Sequence, residues 1–346
     1  MDFQRYFAEY DKSRHLDIES FSREDIKVEY RHHTISWYLD LIESGEIYLD
    51  TDFQRDGGVW KPQQKSRFIE SLLMHLPITP IFLAQDYNYC YDIVDGLQRL
   101  TTLREFIQKD GFSLQGLEFY KDIEGCRYKE LPRVLQRFIS TAVLPVSVLN
   151  PGVSHTLKVN IFHRINTSGA TLTNHEVRVS LYGRTYFYKM LDKVSEKYIY
   201  DLLGREDIRK KYQEQIFKSL ALSTFGIQSY QEGQSMSDFL DKSIDVFSSL
   251  DDFDIDKVFI NLELAVSKLL DLVNSYPIFD NSLGRMSNAL FVSFLYLSMT
   301  ESDFFFNKKK YELLLSDPEF KKLLSNGTSK YSNIIKRNEM IREVVC

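Results

Sequence analysis

The chain has 346 residues, of which 43% are hydrophobic and 27% are charged, so a large core is available and the length favours two domains. Its 43 basic and 49 acidic residues give a formal net charge of −6. This acidic balance argues against a protein whose main role is to coat nucleic acid, although it is compatible with local basic clusters.

The first half of the chain is expected to alternate short strands with helices between about residues 30 and 175. Apolar residues recur at helical spacing after Thr34 and Pro62, two residue types that favour the start of a helix. The predicted elements are a helix from Thr34 to Gly45, a strand over 46–53, a helix from Pro62, strands over 81–84 and 91–94, a helix from the Asp95-Gly96 turn to Gly111, a strand over 143–149 and a helix over 155–164.

The second half is expected to be almost entirely helical. Thr173 and Glu176 have the spacing of a capping box, which opens the first of these helices. Further helices are predicted near 185–199, 206–224, 236–249, 255–275, 284–300, 308–325 and 331–345. We therefore predict an N-terminal extension over 1–29, an α+β domain over 30–182 and an all-α helical domain over 183–346.

Cysteine usage and hydropathy predict a soluble protein in a reducing compartment. Cys90, Cys126 and Cys346 lack Cys-x-x-Cys spacing, which excludes a cysteine zinc knuckle. The longest apolar run, Ala289–Met299, is shorter than the roughly 20 residues that span a bilayer. Residues 1–20 are charged and lack the apolar core of a signal peptide. We expect a cytoplasmic protein without a membrane partner.

The sharpest local motif is Val-Asp-Gly-Leu-Gln-Arg-Leu-Thr-Thr-Leu at 94–103, where a strand passes through a glycine turn directly into a helix. The residues on or beside its first turn are Gly96, Gln98, Arg99 and Thr101. Free backbone N–H groups there favour an anion, and Arg99 can hold two phosphate oxygens. Asp95 can accept from a sugar hydroxyl, hold Mg²⁺ through water or orient an attacking water. The alternative is that Asp95 only caps the helix and Arg99 is its solvated neighbour.

A second polar cluster, Gln54 and Arg55 followed by Trp60, comes before the helix that starts at Pro62. A cation and an amide close to an aromatic ring suit contacts to phosphate and base. Taken alone, a surface arginine and a core tryptophan explain these residues better.

A third cluster contains Arg164, Asn166 and Thr167, which supply a cation, an amide and a hydroxyl at a predicted helix end. It also fits a helix C-cap with Asn166 or Gly169 in the left-handed conformation, and capping is compatible with ligand contact. Three polar turns in one small domain are what a triphosphate pocket requires, so their joint presence favours a nucleotide site.

Together, these motifs make residues 34–182 resemble the N-terminal domain of GmrSD-type restriction endonucleases. The resemblance is carried by Phe53-Gln-Arg with Trp60, by the motif at 94–103 and by Phe162-His-Arg-Ile-Asn-Thr-Ser-Gly169 with Leu172, in the family's order and spacing. It implies a ParB/sulfiredoxin-like fold. The family's usual central motif, Asp-Gly-Gln-Gln-Arg, is associated with nucleoside triphosphate binding and hydrolysis in bacterial defence against phage.

The resemblance implies roles for individual residues. Those assigned to catalysis are Asp95, Gln98 and Arg99, with Asp95 also a candidate Mg²⁺ ligand; those assigned to nucleotide binding are Gln54, Arg55, Trp60, Gly96, Thr101, Arg164, Asn166 and Thr167. Leu97 stands where the family motif has its first glutamine. If that amide contacts the nucleotide, hydrolysis is weakened here while binding is retained.

Many relatives end in an HNH nuclease domain, whose chemistry needs a histidine general base. None of the seven histidines of this chain lies beyond His175, so its C-terminal half is expected to hold no HNH nuclease. Lys336, Arg337 and Arg342 in the last helix are candidate contacts to DNA or a protein partner, although a solvated surface position is the favoured interpretation.

Three hypotheses follow. The first is a Mg²⁺-dependent NTP-hydrolysing component of an anti-phage, restriction-type defence system, with a nuclease supplied by a protein partner and a helical half that contacts an effector or DNA. The second is a nucleotide-gated DNA-sensing or regulatory module without turnover, which Leu97 favours. The third is a ParB-like nuclease. It ranks last because no carboxylate cluster with metal-ligand spacing accompanies Asp95.

Overall fold

The computed structural model describes all residues except 1, 14–26, 50–59, 152, 154–157, 159–160, 163, 166–172, 205, 208–209, 277, 280–286 and 346. The chain divides into two compact units, one formed by Asp17–Leu181 and the other by Met1–Leu16 together with Tyr182–Cys346. Among the described helices, none has a stretch long and apolar enough to cross a membrane.

The first unit is a mixed α/β structure built on a four-stranded sheet. After helix α1 (Phe3–Ser13), the chain forms β1 (Val28–Thr34), α2 (Ile35–Glu43), α3 (Pro62–Leu73), β2 (Ile81–Gln85), β3 (Tyr91–Asp95), α4 (Leu97–Leu103), α5 (Arg133–Thr141), β4 (Val143–Leu149) and α6 (Asn174–Tyr182). The strand order is β1-β4-β2-β3. β4 runs antiparallel to β1 and parallel to β2, and β2 and β3 form an antiparallel hairpin.

The two faces of the sheet bury different hydrophobic clusters, as the alternation of side chains along a strand requires. The larger cluster joins Leu83 and Val146 to residues of α2, α3 and α4 such as Tyr38. The smaller one joins Ala84 and Val94 to Phe162, Val177 and Leu149. β3 is therefore covered on both faces where it approaches the turn at Asp95.

Several predicted elements of this unit are confirmed. The Thr34 hydroxyl accepts a hydrogen bond from the Trp37 backbone N–H at 3.4 Å and caps α2. The strands predicted over 81–84, 91–94 and 143–149 form within one residue of their expected ends. Thr173 and Glu176 form the expected capping box, with the Glu176 carboxylate accepting from the Thr173 N–H at 2.6 Å.

Other predictions for this unit need correction. Over the described part of the predicted strand, 46–49, only an isolated bridge between Ile47 and Tyr91 forms, and 50–53 lie outside the described residues. Two elements escaped prediction. β1 is an edge strand whose sequence, Val-Glu-Tyr-Arg-His-His-Thr, has no apolar alternation, and α5 fully buries only Ile139. Both are stabilised mainly by neighbouring elements, which local patterns do not reveal.

The second unit is helical. After α6 it contains α7 (Tyr186–Leu203), α8 (Lys211–Phe225), α9 (Met236–Ser249), α10 (Asp252–Ser275), α11 (Asn288–Thr300), α12 (Lys308–Ser316), α13 (Pro318–Ser325) and α14 (Tyr331–Val345). The Phe7 ring of α1 stacks on Phe225 with centroids 4.5 Å apart, so α1 contributes to this core. The predicted helix over 308–325 divides at Pro318, where Asp317 caps α13.

Arg337 of α14 is not a surface residue. It is 1% exposed, and its Nε donates to Ser293 Oγ at 2.8 Å and its Nη1 to the Thr328 carbonyl at 3.0 Å. The expectation that it is solvated or contacts DNA is therefore wrong, because helical packing on both sides encloses it. Its neighbour Lys336 is exposed and pairs with Glu319.

Candidate functional site

The turn between β3 and α4 is shaped by an irregular strand register. Phe82 pairs with Asp95 and Leu83 with Ile93, so Val94 is an additional residue in β3. Such a bulge re-aims the residues that follow it and is common beside active sites. Gly96 comes next with φ 105°, a backbone conformation that favours glycine. Helix α4 therefore starts directly at the end of the strand, as the sequence predicted.

Arg99, one helical turn after Asp95, is buried beneath this turn. Its Nη1 donates to the Thr79 carbonyl and to Thr79 Oγ1, the latter at 2.8 Å. Its Nη2 donates to the Pro80 carbonyl at 3.2 Å and to Asp95 Oδ2 at 2.8 Å. Both terminal nitrogens of the guanidinium are thus engaged by the protein. The Arg99 side chain therefore connects the Thr79-Pro80 segment, which precedes β2, to the start of α4.

The Asp95–Arg99 pair is asymmetric in its exposure to water. The Arg99 side chain is 9% exposed, whereas the Asp95 side chain is 44% exposed. Burial lowers the pKa of Arg99, while the nearby Asp95 carboxylate and Tyr38 hydroxyl oppose that shift. The Asp95 carboxylate is therefore held by the buried Arg99 guanidinium on one side and remains exposed to solvent on the other. Neither part of the alternative interpretation holds, because Gly96 occupies the cap position and Arg99 is not solvated.

The second predicted cluster meets the first. The Trp60 backbone N–H donates to Gln98 Oε1 at 3.1 Å, so the end of the Gln54–Trp60 segment is fixed against the first turn of α4. The half-buried Trp60 ring lies edge-on to Phe68 of α3, with centroids 5.3 Å apart. Gln54 and Arg55 themselves lie outside the described residues.

The third predicted cluster is described only in part. Phe162 packs against Val94 and Ala84 on the smaller cluster's face of the sheet, and Arg164 is exposed. Asn166 and Thr167, and most of the helix predicted over 155–164, lie outside the described residues. Thr101, assigned to nucleotide binding, is buried in α4.

The unit that holds this site matches a known family. Residues 38–183 match the family model described as the N-terminal domain of GmrSD restriction endonucleases. These residues form a GmrSD-type N-terminal domain. The match supports a restriction-type protein of phage defence. No curated protein matches the chain.

At the described part of the β3–α4 turn, the side chain that could bind a metal ion is Asp95. Within the described ranges there is no group of three or more histidine, cysteine, aspartate or glutamate side chains that could hold a metal ion. One carboxylate is still enough for Mg²⁺ when phosphate oxygens and water supply the other ligands, as is usual for this ion. Asp95 fits that role because its carboxylate is held by Arg99 and is 44% exposed.

Two residues that shape the site of the GmrSD-type domain were not predicted from the sequence. Thr79 and Pro80 receive the Arg99 guanidinium from 20 and 19 positions earlier in the chain. No pattern within the 94–103 motif predicts these two contacts. The only indication is that Pro77 and Pro80 bracket the approach to β2, which forces an extended, non-helical segment with free carbonyls.

Proposed function

We propose that the GmrSD-type domain binds a nucleoside triphosphate at the β3–α4 turn and hydrolyses it with Mg²⁺, within an anti-phage defence system. The proposal includes a ParB/sulfiredoxin-like fold, with which the small mixed sheet and its flanking helices are compatible. A nuclease would come from a partner chain. The helical unit would respond to the nucleotide state and contact an effector or DNA.

The observation that carries the proposal is the fixed, half-exposed Asp95 carboxylate at the start of α4. Backbone N–H groups of a first helical turn attract phosphate, and a carboxylate beside them can hold Mg²⁺ or orient water. Because its terminal nitrogens are engaged by Thr79, Pro80 and Asp95, Arg99 acts here as a positioning residue for Asp95. Phosphate contacts are then assigned to Arg55 and Arg164.

Gln98 and Trp60 would form the wall of the same pocket. Gln98 Oε1 already accepts the Trp60 N–H, which leaves its amide NH₂ group to donate to a phosphate oxygen or to the attacking water. The Trp60 ring is half-buried and is suited to lie against a base. Gln54, Asn166, Thr167, Gly96 and Thr101 remain predicted contacts.

A specific observation supports the alternative of binding without turnover. Leu97, in place of the family's glutamine, packs against the larger hydrophobic cluster and adds no hydrogen-bonding group to the turn. If catalysis needs two amides there, the site binds nucleotide without hydrolysing it. A ParB-like nuclease is the third hypothesis. Within the described chain, Asp95 lacks the accompanying carboxylates that such a nuclease would need.

The test is phosphate release from ATP, GTP, CTP and UTP with Mg²⁺. We expect release from at least one nucleotide, with a loss of roughly 100-fold or more in Asp95→Asn, which keeps an acceptor for Arg99 but removes the charge. Arg67→Ala is the matched control, because Arg67 forms an exposed ion pair with Glu118 in the same unit. Its rate should equal that of the wild type.

Nucleotide binding is measured in parallel by tryptophan fluorescence, since Trp37 and Trp60 are the only tryptophans of the chain. A signal change that disappears in Trp60→Phe places the base beside Trp60. Binding without phosphate release would establish the alternative function. No release and no binding would sink both. Metal-dependent nicking of DNA that Asp95→Asn abolishes would instead establish the nuclease.

A further inference from the structure

A basic surface lies on α5 and the short segment before it. Between residues 127 and 143 the sequence has one acidic residue, Glu130, and four basic residues, Arg127, Lys129, Arg133 and Arg137. All four basic side chains belong to exposed residues. In the part of the chain that the structure describes, none of them forms an ion pair. We call these four residues the α5 basic surface.

Hydrogen bonds hold this surface in an ordered arrangement. Gln136 of α5 donates from Nε2 to the Leu131 carbonyl at 2.9 Å, and the Tyr128 hydroxyl donates to the Gln136 carbonyl at 3.2 Å. Two carboxylates contact the backbone of this segment: Glu130 accepts from the Arg127 N–H at 2.7 Å, and Asp110 Oδ1 accepts from the Lys129 N–H at 3.1 Å. The Arg127 guanidinium also donates to the Asp110 carbonyl at 2.8 Å. The segment before α5 is therefore folded back on the helix, and Glu130 is engaged within its own turn.

Arg133 and Arg137 lie one helical turn apart, so their cations are neighbours on the same face of α5. Like charges at this spacing destabilise a helix slightly unless an anion lies between them. Helix α5 contains no acidic residue. In a chain with a net charge of −6, this concentration of exposed cations without an ion pair among the described residues points to an anionic partner outside the chain.

We propose that the α5 basic surface binds the phosphate backbone of duplex DNA. The charge pattern favours phosphate, because a cluster of exposed basic side chains that form no ion pair within the described chain suits a regular row of anions. Val134 and Phe138 are also exposed, by 70% and 42%, and would lie against deoxyribose between the arginine contacts. This assignment rests on the proposed DNA partner and does not require nucleotide hydrolysis.

The surface is separate from the nucleotide site. Phe138 contacts the ring of His75, just beyond the C-terminal end of α3, whereas Trp60 and Gln98 lie at the N-terminal end of that helix. The 12 residues of α3 span about 18 Å. DNA and nucleotide can therefore be bound at the same time by one GmrSD-type domain.

The test is the salt dependence of DNA binding by the full-length chain without nucleotide. The probe is an unmodified duplex of about 20 base pairs, measured by fluorescence anisotropy between about 50 and 200 mM salt. The double variant Arg133→Ala/Arg137→Ala should reduce the magnitude of the negative slope of log affinity against log salt by about 2. It should also weaken binding by roughly an order of magnitude per lost contact. Arg133→Lys/Arg137→Lys should retain most of the slope, because phosphate contacts need charge.

Arg67→Ala is the matched control, since Arg67 is exposed in the same unit and is already paired with Glu118. Its slope should equal that of the wild type. An unchanged slope in the double alanine variant, or no binding by the wild type at about 100 μM protein and low salt, would overturn the proposal. Phosphate release, measured on the same variants, stays at the wild-type rate, so failure of this assignment is distinguishable from failure of the nucleotide site.

Discussion

Arg99 donates a hydrogen bond of 2.8 Å to Asp95 from a side chain that is 9% exposed, while the Asp95 side chain is 44% exposed. A buried cation thus positions a solvent-exposed anion at the junction of β3 and α4. Because a buried guanidinium without partners is strongly unfavourable, Thr79 and Pro80 are as necessary to this junction as Asp95. In this geometry, Arg99 of the motif holds Asp95 in position.

Arg99→Lys is expected to destabilise the first unit despite keeping the charge. One ammonium cannot reach the acceptors on Thr79, Pro80 and Asp95 together, so at least one buried carbonyl is left unpaired, at a cost of about 2 kcal/mol. Urea unfolding followed by tryptophan fluorescence measures this. Arg67→Lys, at an exposed pair, should change the midpoint little. Equal midpoints for the two variants would contradict the assigned role.

Gly96→Ala is expected to cost more than Gly125→Ala. Both glycines have positive φ, of 105° and 83°, so both substitutions introduce backbone strain of about 1 kcal/mol. Only at Gly96 would the added Cβ lie 3.1 Å from Ile81 and 3.2 Å from the Arg99 guanidinium, whereas nothing lies within 4 Å at Gly125. Thermal unfolding of the two variants separates crowding from strain. A larger loss of thermal stability in Gly125→Ala than in Gly96→Ala would show that the turn at Gly96 relaxes freely around the added Cβ.

The stability of the first unit is expected to depend on the ionisation of Glu70. Burial raises the pKa of Glu70, but hydrogen bonds from the backbone N–H groups of Tyr120, Glu118 and Phe119 outweigh it, so the net pKa is lowered. The resulting stabilisation is present above the unfolded-state pKa, about 4.5, and is lost as the pH falls through the lower folded-state pKa. Urea unfolding at pH 7 and below pH 4.5 checks this dependence.

Glu70→Gln provides the control for that measurement. It should destabilise the unit by about 1–2 kcal/mol at neutral pH, because a neutral amide oxygen accepts these hydrogen bonds less strongly than a carboxylate. It should also flatten the pH dependence in the acidic range. A Glu70→Gln variant that loses stability below pH 4.5 as steeply as the wild type would assign the effect to other carboxylates.

Arg337→Ala is expected to destabilise the helical unit by about 3 kcal/mol, because it leaves a cavity and unpaired acceptors on Ser293 and Thr328. Burial lowers the pKa of Arg337 to about 10, which still leaves the guanidinium charged at neutral pH. Lys336→Ala, next to it on the surface, should have little effect. Thermal unfolding by circular dichroism compares them. A DNA salt slope altered by Arg337→Ala without loss of stability would restore the surface interpretation.

Prediction from the sequence succeeded where one local pattern determines the outcome. The Thr34 cap, the strand into the Asp95-Gly96 turn and the buried helix around Ala289–Met299 depend on residues close together in the chain. Prediction failed where stability comes from distant elements. β1 becomes a strand because β4, more than 100 positions later, supplies its hydrogen-bonding partners.

By itself, the sequence determined which residue types meet at the β3–α4 turn and that the segment resembles the GmrSD family, since both follow from the order of residues along the chain. Only the tertiary structure decided what each residue does there. Whether an arginine is available for phosphate depends on the acceptors around it, and for Arg99 those acceptors lie on Thr79 and Pro80. Burial and hydrogen bonding across distant segments set the role of a charge, and no local spacing encodes them.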